Sequence, residues 1–410
     1  MNKITKMQGG VTSPKGFAAA AYAAGIKYAG RNDMALIYSE KPCTAAGVFT
    51  SNIVKAAPVL WDKKVIEEAD YVRAVIVNSG IANAGTGEEG MTICRKTAEA
   101  AATVTGDKAE NILVASTGVI GKQIPVDKIV DGTKQLLSLK EETTEAGTKA
   151  AEAIMTTDTH KKEIAVEISL SSGTVTMGGM CKGSGMIHPD MCTMLGFVTT
   201  DAAISKELLQ KALSEIVQDT FNMISVDGDT STNDTLVVLA NGMAGNDELI
   251  TEDADYQIFK EALYEVCEFL AKQMAGDGEG ATALFEAKVV GAKSKEDAKV
   301  LAKSVICSSL TKAAIFGHDA NWGRILCALG YSGAQFKPED VEISFISKAG
   351  TVMVCKGGIE ADYSEEEATK ILSESEVTAL IDMHAGEASA TAWGCDLSYD
   401  YVKINADYRS

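Results

Sequence analysis

Between Ser205 and Gln218 the apolar residues Leu208, Leu209, Ala212, Leu213, Ile216 and Val217 recur at the spacing of one helix face, and Ser205 stands where a helix needs a side-chain acceptor. That pattern predicts a helix with Ser205 as its N-cap. A longer helix is predicted from about Tyr256 to Met274, where Phe259, Leu263, Val266, Cys267 and Leu270 share a face, and another after Ser294. Alternation at Ile164, Val166 and Ile168, at Val341, Ile343 and Phe345, and at Leu397, Tyr399 and Tyr401 predicts strands with one buried side. The unbroken TLVVLA from Thr235 predicts a strand covered on both faces. Helix and strand periods mix along the whole chain without a repeat, which predicts an α/β or α+β fold.

At 410 residues the chain exceeds the size at which one core usually keeps growing, so one large α/β unit or two associated lobes is expected. No Pro-rich or Ser-rich linker marks a boundary between domains. Hydrophobic residues make up 46%, too many for a disordered chain. The net charge of -19 argues against nucleic acid or an anionic membrane surface as the main partner, because both would repel it. No apolar run reaches the roughly 18 residues of a membrane span, and Lys3 and Lys6 are followed by no apolar leader, so the expected compartment is the cytoplasm.

Nine cysteines stand singly, with no Cys-x-x-Cys pair and an odd total, a pattern of reduced thiols rather than a disulfide framework or zinc site. The four histidines form no close metal spacing, and no Gly-x-Ser-x-Gly elbow is present. An enzyme built from these residues is expected to use a base other than histidine. P-loop and dinucleotide fingerprints are also missing.

Gly- and Asn-rich loops separate the elements, and chemistry concentrates in such loops. They read VNSGIANAGTGEEG from Val77, VASTGVIGKQIP from Val114, MTTDTHKK from Met155, VDGDTSTNDT from Val226, GDGEGAT from Gly276 and GHDANWGRI from Gly317. Each by itself reads as a turn more readily than as a ligand cradle. The segment CKGSGMIHPDMCTMLGFVTTDA, from Cys181 to Ala202, is different. Its glycines and methionines lead to one Cys-Thr bond, Cys192-Thr193, and then to a hydrophobic run.

Within that segment, KGSGMIHPDMCTML followed by TTDA closely resembles the self-cleavage segment of the ornithine acetyltransferase family, the glutamate N-acetyltransferases of arginine biosynthesis. The usual family pattern is Lys-Gly-x-Gly-Met-Ile-x-Pro-x-Met-Ala-Thr-Met-Leu. The resemblance spans the chain: FTSNIVKAAPV from Phe49, VNSGIANAGTG, ASTGVIG, IMTTDT, FNMISVDGDTSTNDT, DGEGAT, NWGRI and the ending WGCDLSYDYVKINADYRS all match and fall in family order. It implies a layered αββα fold similar to that of self-cleaving N-terminal nucleophile enzymes. It also implies a cut between Cys192 and Thr193, giving an α piece (1–192) and a β piece (193–410) that stay together as a heterotetramer of two of each.

The implied chemistry accounts for the Thr. Its hydroxyl attacks the carbonyl before it, the resulting ester hydrolyses, and the new chain begins with that Thr and carries its own α-amine as base. An α-amine titrates at about 7.7–8.0, so no histidine is required. By resemblance Thr193 is the nucleophile of both cleavage and catalysis, and Cys192 stands where the family usually has Ala. Thr117 and Gly118 match the pair that forms the oxyanion hole. Thr156, Lys182, Glu279, Asn405 and Ser410 match substrate-binding positions, as does Thr193 itself; Ser410 replaces the more frequent Thr and keeps the hydroxyl. Glu279 suits the cationic end of N-acetylornithine and Lys182 its carboxylate, with glycines 276, 278 and 280 letting the backbone bring Glu279 close.

The implied reaction takes acetyl from N-acetylornithine onto Thr193 and passes it to glutamate, without metal or cofactor. These residues do not decide whether acetyl-CoA also serves as donor, as it does in bifunctional members. Two other readings stay open: an amide hydrolase or aminopeptidase of the same self-cleaving class, which would give the acyl group to water, and an uncut, non-catalytic binding protein of the same fold. Cleavage is directly testable. The purified protein should contain a piece whose N-terminal sequence begins Thr-Met-Leu-Gly, Thr193→Ala should remain one chain on a denaturing gel, and Cys192→Ala should still be cut; an N-terminal read starting elsewhere would refute the assignment.

Overall fold

In the computed structural model, which describes residues 4–27, 29–188 and 194–406, the predicted periods resolve into two compact units. The first takes the chain as far as Gly183, then the stretch ending at Phe221, then Thr230–Leu270. The second takes the chain from Ser184, the loop Asn222–Asp229 and everything from Ala271 onward. Neither unit is divided from the other at residue 192.

The first unit contains β1 (Ile4–Met7), β2 (Phe17–Tyr22), β3 (Met34–Phe49), α1 (Ala57–Glu68), β4 (Val72–Asn78), α2 (Gly87–Thr105), β5 (Ile112–Ser116), α3 (Val126–Leu139), α4 (Thr144–Ala153), β6 (Lys162–Leu170), β7 (Gly173–Lys182), β8 (Leu195–Thr200), α5 (Lys206–Ile216), β9 (Thr235–Ala240) and α6 (Ala254–Gly276), whose last turn belongs to the second unit. Its strands follow the order β1-β6-β7-β8-β9-β3-β4-β5, with β2 also on β3. The long β3 changes partners along its length. Met34–Tyr38 pair with β2 and β4, while Thr44–Phe49 pair with β9. Two sheets therefore share one strand.

Side chains on successive residues of a strand point to opposite faces, and the cores divide accordingly. Val75, Val77, Leu113 and Ala115 join Met180, Leu195, Phe197, Val237 and Leu239 in a core between the two sheets. Their neighbours Ala74, Ile76, Ile112 and Val114 pack with Ile93, Cys94 and Ala98 of α2 and Ile129 and Leu136 of α3. On the far face of the other sheet, Gly179 lies so close to α6 that a Cβ would stand 3.0 Å from Val266 and Leu270. Helices, sheet, sheet and helix form the expected αββα layering.

The second unit is built on β10 (Leu284–Ala292), α7 (Lys295–Cys307), α8 (Ser309–Phe316), α9 (Trp322–Gly330), β11 (Glu342–Ser347), β12 (Gly350–Lys356), β13 (Ile359–Glu360), α10 (Glu365–Leu372), β14 (Glu376–Asp382), β15 (Ala388–Cys395) and α11 (Tyr399–Ala406). Its sheet runs β13-β12-β11-β14-β10-β15, and β10 with β14 is its parallel pair.

Ser205 caps α5 by accepting from the Leu208 amide, and every residue of β9 is buried, both as the sequence predicts. The strand expected through Leu397, Tyr399 and Tyr401 is instead the start of α11. Ser398 accepts from the Asp400 amide (3.2 Å) and donates to Gly280 O (2.6 Å), setting a helix start, and Tyr399 is 85% exposed, so the alternation has no buried side. The cysteines among the described residues are free thiols and mostly buried, with Cys327 the exposed exception. Among the described residues no helix is long and apolar enough to cross a membrane.

Because Phe197 is almost fully enclosed between the two sheets, Phe197→Ala should lower unfolding free energy by about 3–5 kcal/mol in denaturant titration. Leu139→Ala, at a half-exposed position in α3, should stay within about 0.5 kcal/mol of the parent.

Candidate active site

Parallel strands β4 and β5 end side by side at Asn78 and Ser116, and the loops that follow them are tied together. Ser116 Oγ donates to Asn78 Oδ1 (2.7 Å), and Asn78 Nδ2 donates to Ile81 O (2.9 Å). The Thr117 amide donates to Asn78 O (3.0 Å) and the Val119 amide to Gly80 O (3.1 Å). Neither the Gly118 amide between them nor the Thr117 hydroxyl donates to a described residue. Gly118 holds φ at +129°, and a Cβ there would stand 2.3 Å from the Gly80 carbonyl carbon, so this loop admits only glycine. A half-buried hydroxyl and an adjacent open amide are the donor pair that an oxyanion needs.

Asn233 fastens this loop from β9's side, its Nδ2 donating to Ala82 O (2.6 Å) and Ser116 O (2.8 Å). Next to it, Asp234 is buried, with Oδ2 lacking a hydrogen-bond partner. Burial pushes its carboxyl well above the ordinary range, and Ser231, Thr50, the Met194 amide and the Lys182 charge offset this only in part. Lys182, at the end of β7, is itself buried and lies 3.8 Å from Asp158 Oδ2.

Asp158 is the hub of the next contacts. Its Oδ1 accepts from Lys162 Nζ (2.8 Å) and the Gly183 amide (2.7 Å), and its Oδ2 from the Thr156 amide (3.0 Å). Burial would raise its pKa, but the Lys182 and Lys162 ammoniums and these bonds hold it well below the usual carboxylate range. Two ammoniums around one carboxylate leave an excess of positive charge, which suits Lys182 to an anion. In the first unit, then, Asn233 ties the loop of Thr117 and Gly118 to the start of β9, where Asp234 lies, and Asp158 gathers Lys182, Lys162, the Gly183 amide and Thr156.

In the second unit, the loop after α6 presents Glu279. Its amide donates to Ser184 O (2.8 Å) and its Oε2 accepts from Asn405 Nδ2 (2.7 Å), so α11 reaches the carboxylate directly. A Cβ on Gly185 would stand 2.4 Å from Glu279 Cδ, so glycine at 185 is what gives that side chain room. Gly278 and Gly280 are likewise hemmed in, by Cys395 Sγ and by Tyr401 N, whereas Gly276 makes only ordinary contacts and is not required for the approach of Glu279. Tyr401 of α11 donates to Asp227 Oδ2 (3.3 Å), and Asp227 also accepts from the amides of Met186 and Ile187. Cys192, Thr193 and Ser410 lie outside the described residues.

A model of the ArgJ family matches residues 18–410. The chain belongs to the ArgJ family. The arginine biosynthesis bifunctional protein ArgJ 1 of Clostridium acetobutylicum is 52% identical over 400 residues, 98% of this chain and 97% of that protein. The arginine biosynthesis bifunctional protein ArgJ of Symbiobacterium thermophilum is 51% identical over 406 residues, 98% of this chain and 99% of that one. Among solved structures, the ornithine acetyltransferase of Mycobacterium tuberculosis, complexed with ornithine, is 42% identical with a TM-score of 0.43, covering 47% of this chain and 100% of that one.

Asp158, Lys162, Asn233, Asp234, Asp227 and Tyr401 join these contacts without being marked by any sequence motif. Asp158 stands two residues after Thr156 in MTTDTHKK, and Asn233 and Asp234 stand near the end of VDGDTSTNDT, so the sequence singles out these loops without distinguishing these side chains. Replacing Asp158 strands a buried ammonium, so Asp158→Asn should cost about 3–5 kcal/mol in urea unfolding. The sign with pH follows from its depressed folded-state pKa: this stabilisation is present above about 4 and is lost as pH falls through and below that value. The stability gap between parent and Asp158→Asn should therefore narrow on acidification; a gap constant down to pH 2 would remove the ion pair as its cause.

Proposed function

We propose that this chain is an acetyltransferase of arginine biosynthesis that moves acetyl from N-acetylornithine to glutamate through an acetyl-Thr193 intermediate, after cutting its own Cys192-Thr193 bond. Family membership supports the pathway, since relatives about half identical over nearly the whole chain are named arginine biosynthesis bifunctional proteins. The observation that carries the site is the network of the first unit. It begins at an open hydroxyl-and-amide pair, Thr117 and Gly118, and ends at Asp234 beside Met194, the residue joined to Thr193.

In the first half-reaction, Thr193 Oγ bonds to the acetyl carbon, the acetyl C–N bond of N-acetylornithine breaks, and the hydroxyl proton passes to the Thr193 α-amine and on to the leaving amine of ornithine. The second half reverses these steps with glutamate's amine. Thr117 and Gly118 stabilise the oxyanion. Lys182 takes the substrate carboxylate and Glu279, held by Asn405, its ammonium, while Thr156 and Ser410 supply neutral hydrogen bonds. The chemistry uses a hydroxyl and an amine, so no metal or cofactor enters it. The word bifunctional in the relatives' names supports a second reaction in which acetyl-CoA supplies the acetyl group. The enzyme works in the cytoplasm as a heterotetramer of two α and two β pieces.

Initial rates over a grid of N-acetylornithine and glutamate concentrations test this. Double-reciprocal lines should be parallel, Thr117→Ala should lower kcat by about 10²–10³ with a smaller change in KM, and little acetate should form without glutamate. Intersecting lines would refute the covalent scheme, and acetate formed at the transfer rate without glutamate would favour the amide-hydrolase reading.

A further inference from the structure

β5 is the last strand on its side of the sheet, so half of its polar main-chain groups face no neighbouring strand. Side chains meet them at alternate residues. Trp61 Nε1 donates to Ile112 O (2.9 Å), Asp62 Oδ1 accepts from the Val114 amide (2.7 Å), and Asn233 Nδ2 donates to Ser116 O (2.8 Å). The last contact differs from the other two. Ser116 is joined directly to Thr117, and the same Asn233 nitrogen also donates to Ala82 O (2.6 Å) in the loop after β4. A side-chain amide has two hydrogens, and here each faces a carbonyl from a different loop. The rest of the residue is fixed as well. Its Oδ1 accepts from Thr232 Oγ1 (2.7 Å), its main-chain amide donates to Ser231 Oγ (3.2 Å), and its carbonyl accepts from Thr235 Oγ1 (3.1 Å).

The turn that carries Asn233 is itself braced by the segment FTSNIVKAAPV. Thr50 Oγ1 donates to Ser231 O (2.8 Å), Asn52 Nδ2 to Thr230 O (3.0 Å), the Ala56 amide to Thr232 O (2.9 Å) and the Thr50 amide to Asp234 O (3.1 Å). Two segments with no part in the chemistry thus stand behind the loops that have one. We propose that Asn233 is a positioning residue for acetyl transfer: by bonding Ala82 O and Ser116 O at once, it sets the separation of the loops after β4 and β5 and, with it, the aim of the Thr117 hydroxyl and the Gly118 amide. This rests on the reading of Thr117 and Gly118 as the oxyanion donors. Such donors stabilise a developing charge only where they are already in place, and a misplacement of about 1 Å can cost about 10²-fold in rate. Gly118 transmits the separation directly, because it packs on Gly80 and the next amide, Val119, donates to Gly80 O.

The test is a double-mutant cycle on the cleaved enzyme, with kcat and KM for N-acetylornithine measured for the parent, Asn233→Ala, Thr117→Ala and the double variant. Asn233→Ala should lower kcat by about 10–10²-fold while KM changes less than about threefold. In the Thr117→Ala background the same replacement should have an effect at least about threefold smaller, since part of what Asn233 positions is already gone. A purely structural role would lower the melting temperature and leave the two factors independent, so that they multiply. Multiplying factors, or a parental kcat in Asn233→Ala, would overturn the proposal. So would a folded but uncut Asn233→Ala chain, which would place the need for Asn233 in cleavage rather than transfer. If Asn233→Ala does not fold, Asn233→Gln, which keeps both donors but carries them one methylene further out, is read by the same criteria, and failure of both to fold would make the side chain structural and overturn the assignment. Failure of the oxyanion reading shows separately, as a cleaved Thr117→Ala enzyme with parental kcat.

Discussion

The first unit depends on keeping a charge out of water. Asp158 is completely enclosed, and a lone carboxylate there would be prohibitively costly; it is held because Lys162, the Gly183 amide and the Thr156 amide bond to it while Lys182 faces it. Each partner is fixed in turn. Gly183 directly follows β7, Lys162 opens β6, and Thr156 sits in the loop after α4, so one carboxylate clamps the ends of three elements. It also faces the Lys182 ammonium at 3.8 Å, at the point where β7 stops.

A second device works beside it. The loop before β9 places Asn233 against the loops that follow β4 and β5, and Asp234 beside Met194. Parallel pairing makes this arrangement possible. β4 with β5 brings loops together at the carboxyl ends of neighbouring strands, where sites of parallel sheets collect, while β8 with β9 brings Met194 and Asp234 together at the amino ends of theirs. Glycine at 118 then lets the backbone turn against Gly80 where any side chain would collide.

Much of the fold was legible because it is local. The helical spacing after Ser205, the helix after Ser294 and the apolar run of β9 each declare themselves within a few residues, and each is found. Leu397 to Tyr401 misled because alternation over five residues also fits a helix start, and the deciding interaction, Ser398 with Gly280, is long-range. The same distinction divides the site. Thr117, Gly118, Thr156, Lys182 and Glu279 stood out through motif resemblance, whereas Asn233 acts across 117 and 151 residues of chain and Asp158, in the loop before β6, answers to a lysine at the end of β7. No local pattern reveals a partner so far away. The dispensability of Gly276 against the tight packing of Gly278 and Gly280 is likewise a matter of neighbours rather than sequence.

The proposed chemistry turns on one atom, the hydroxyl oxygen of Thr193. The most direct measurement is peptide mapping by mass spectrometry after rapid quench with N-acetylornithine in the absence of glutamate. One acetyl group should appear on the peptide that begins at Thr193, bound as a hydroxylamine-sensitive ester, and should vanish when glutamate is added before the quench. Acetyl on any other residue, or none at all while ornithine is being released, would contradict the account.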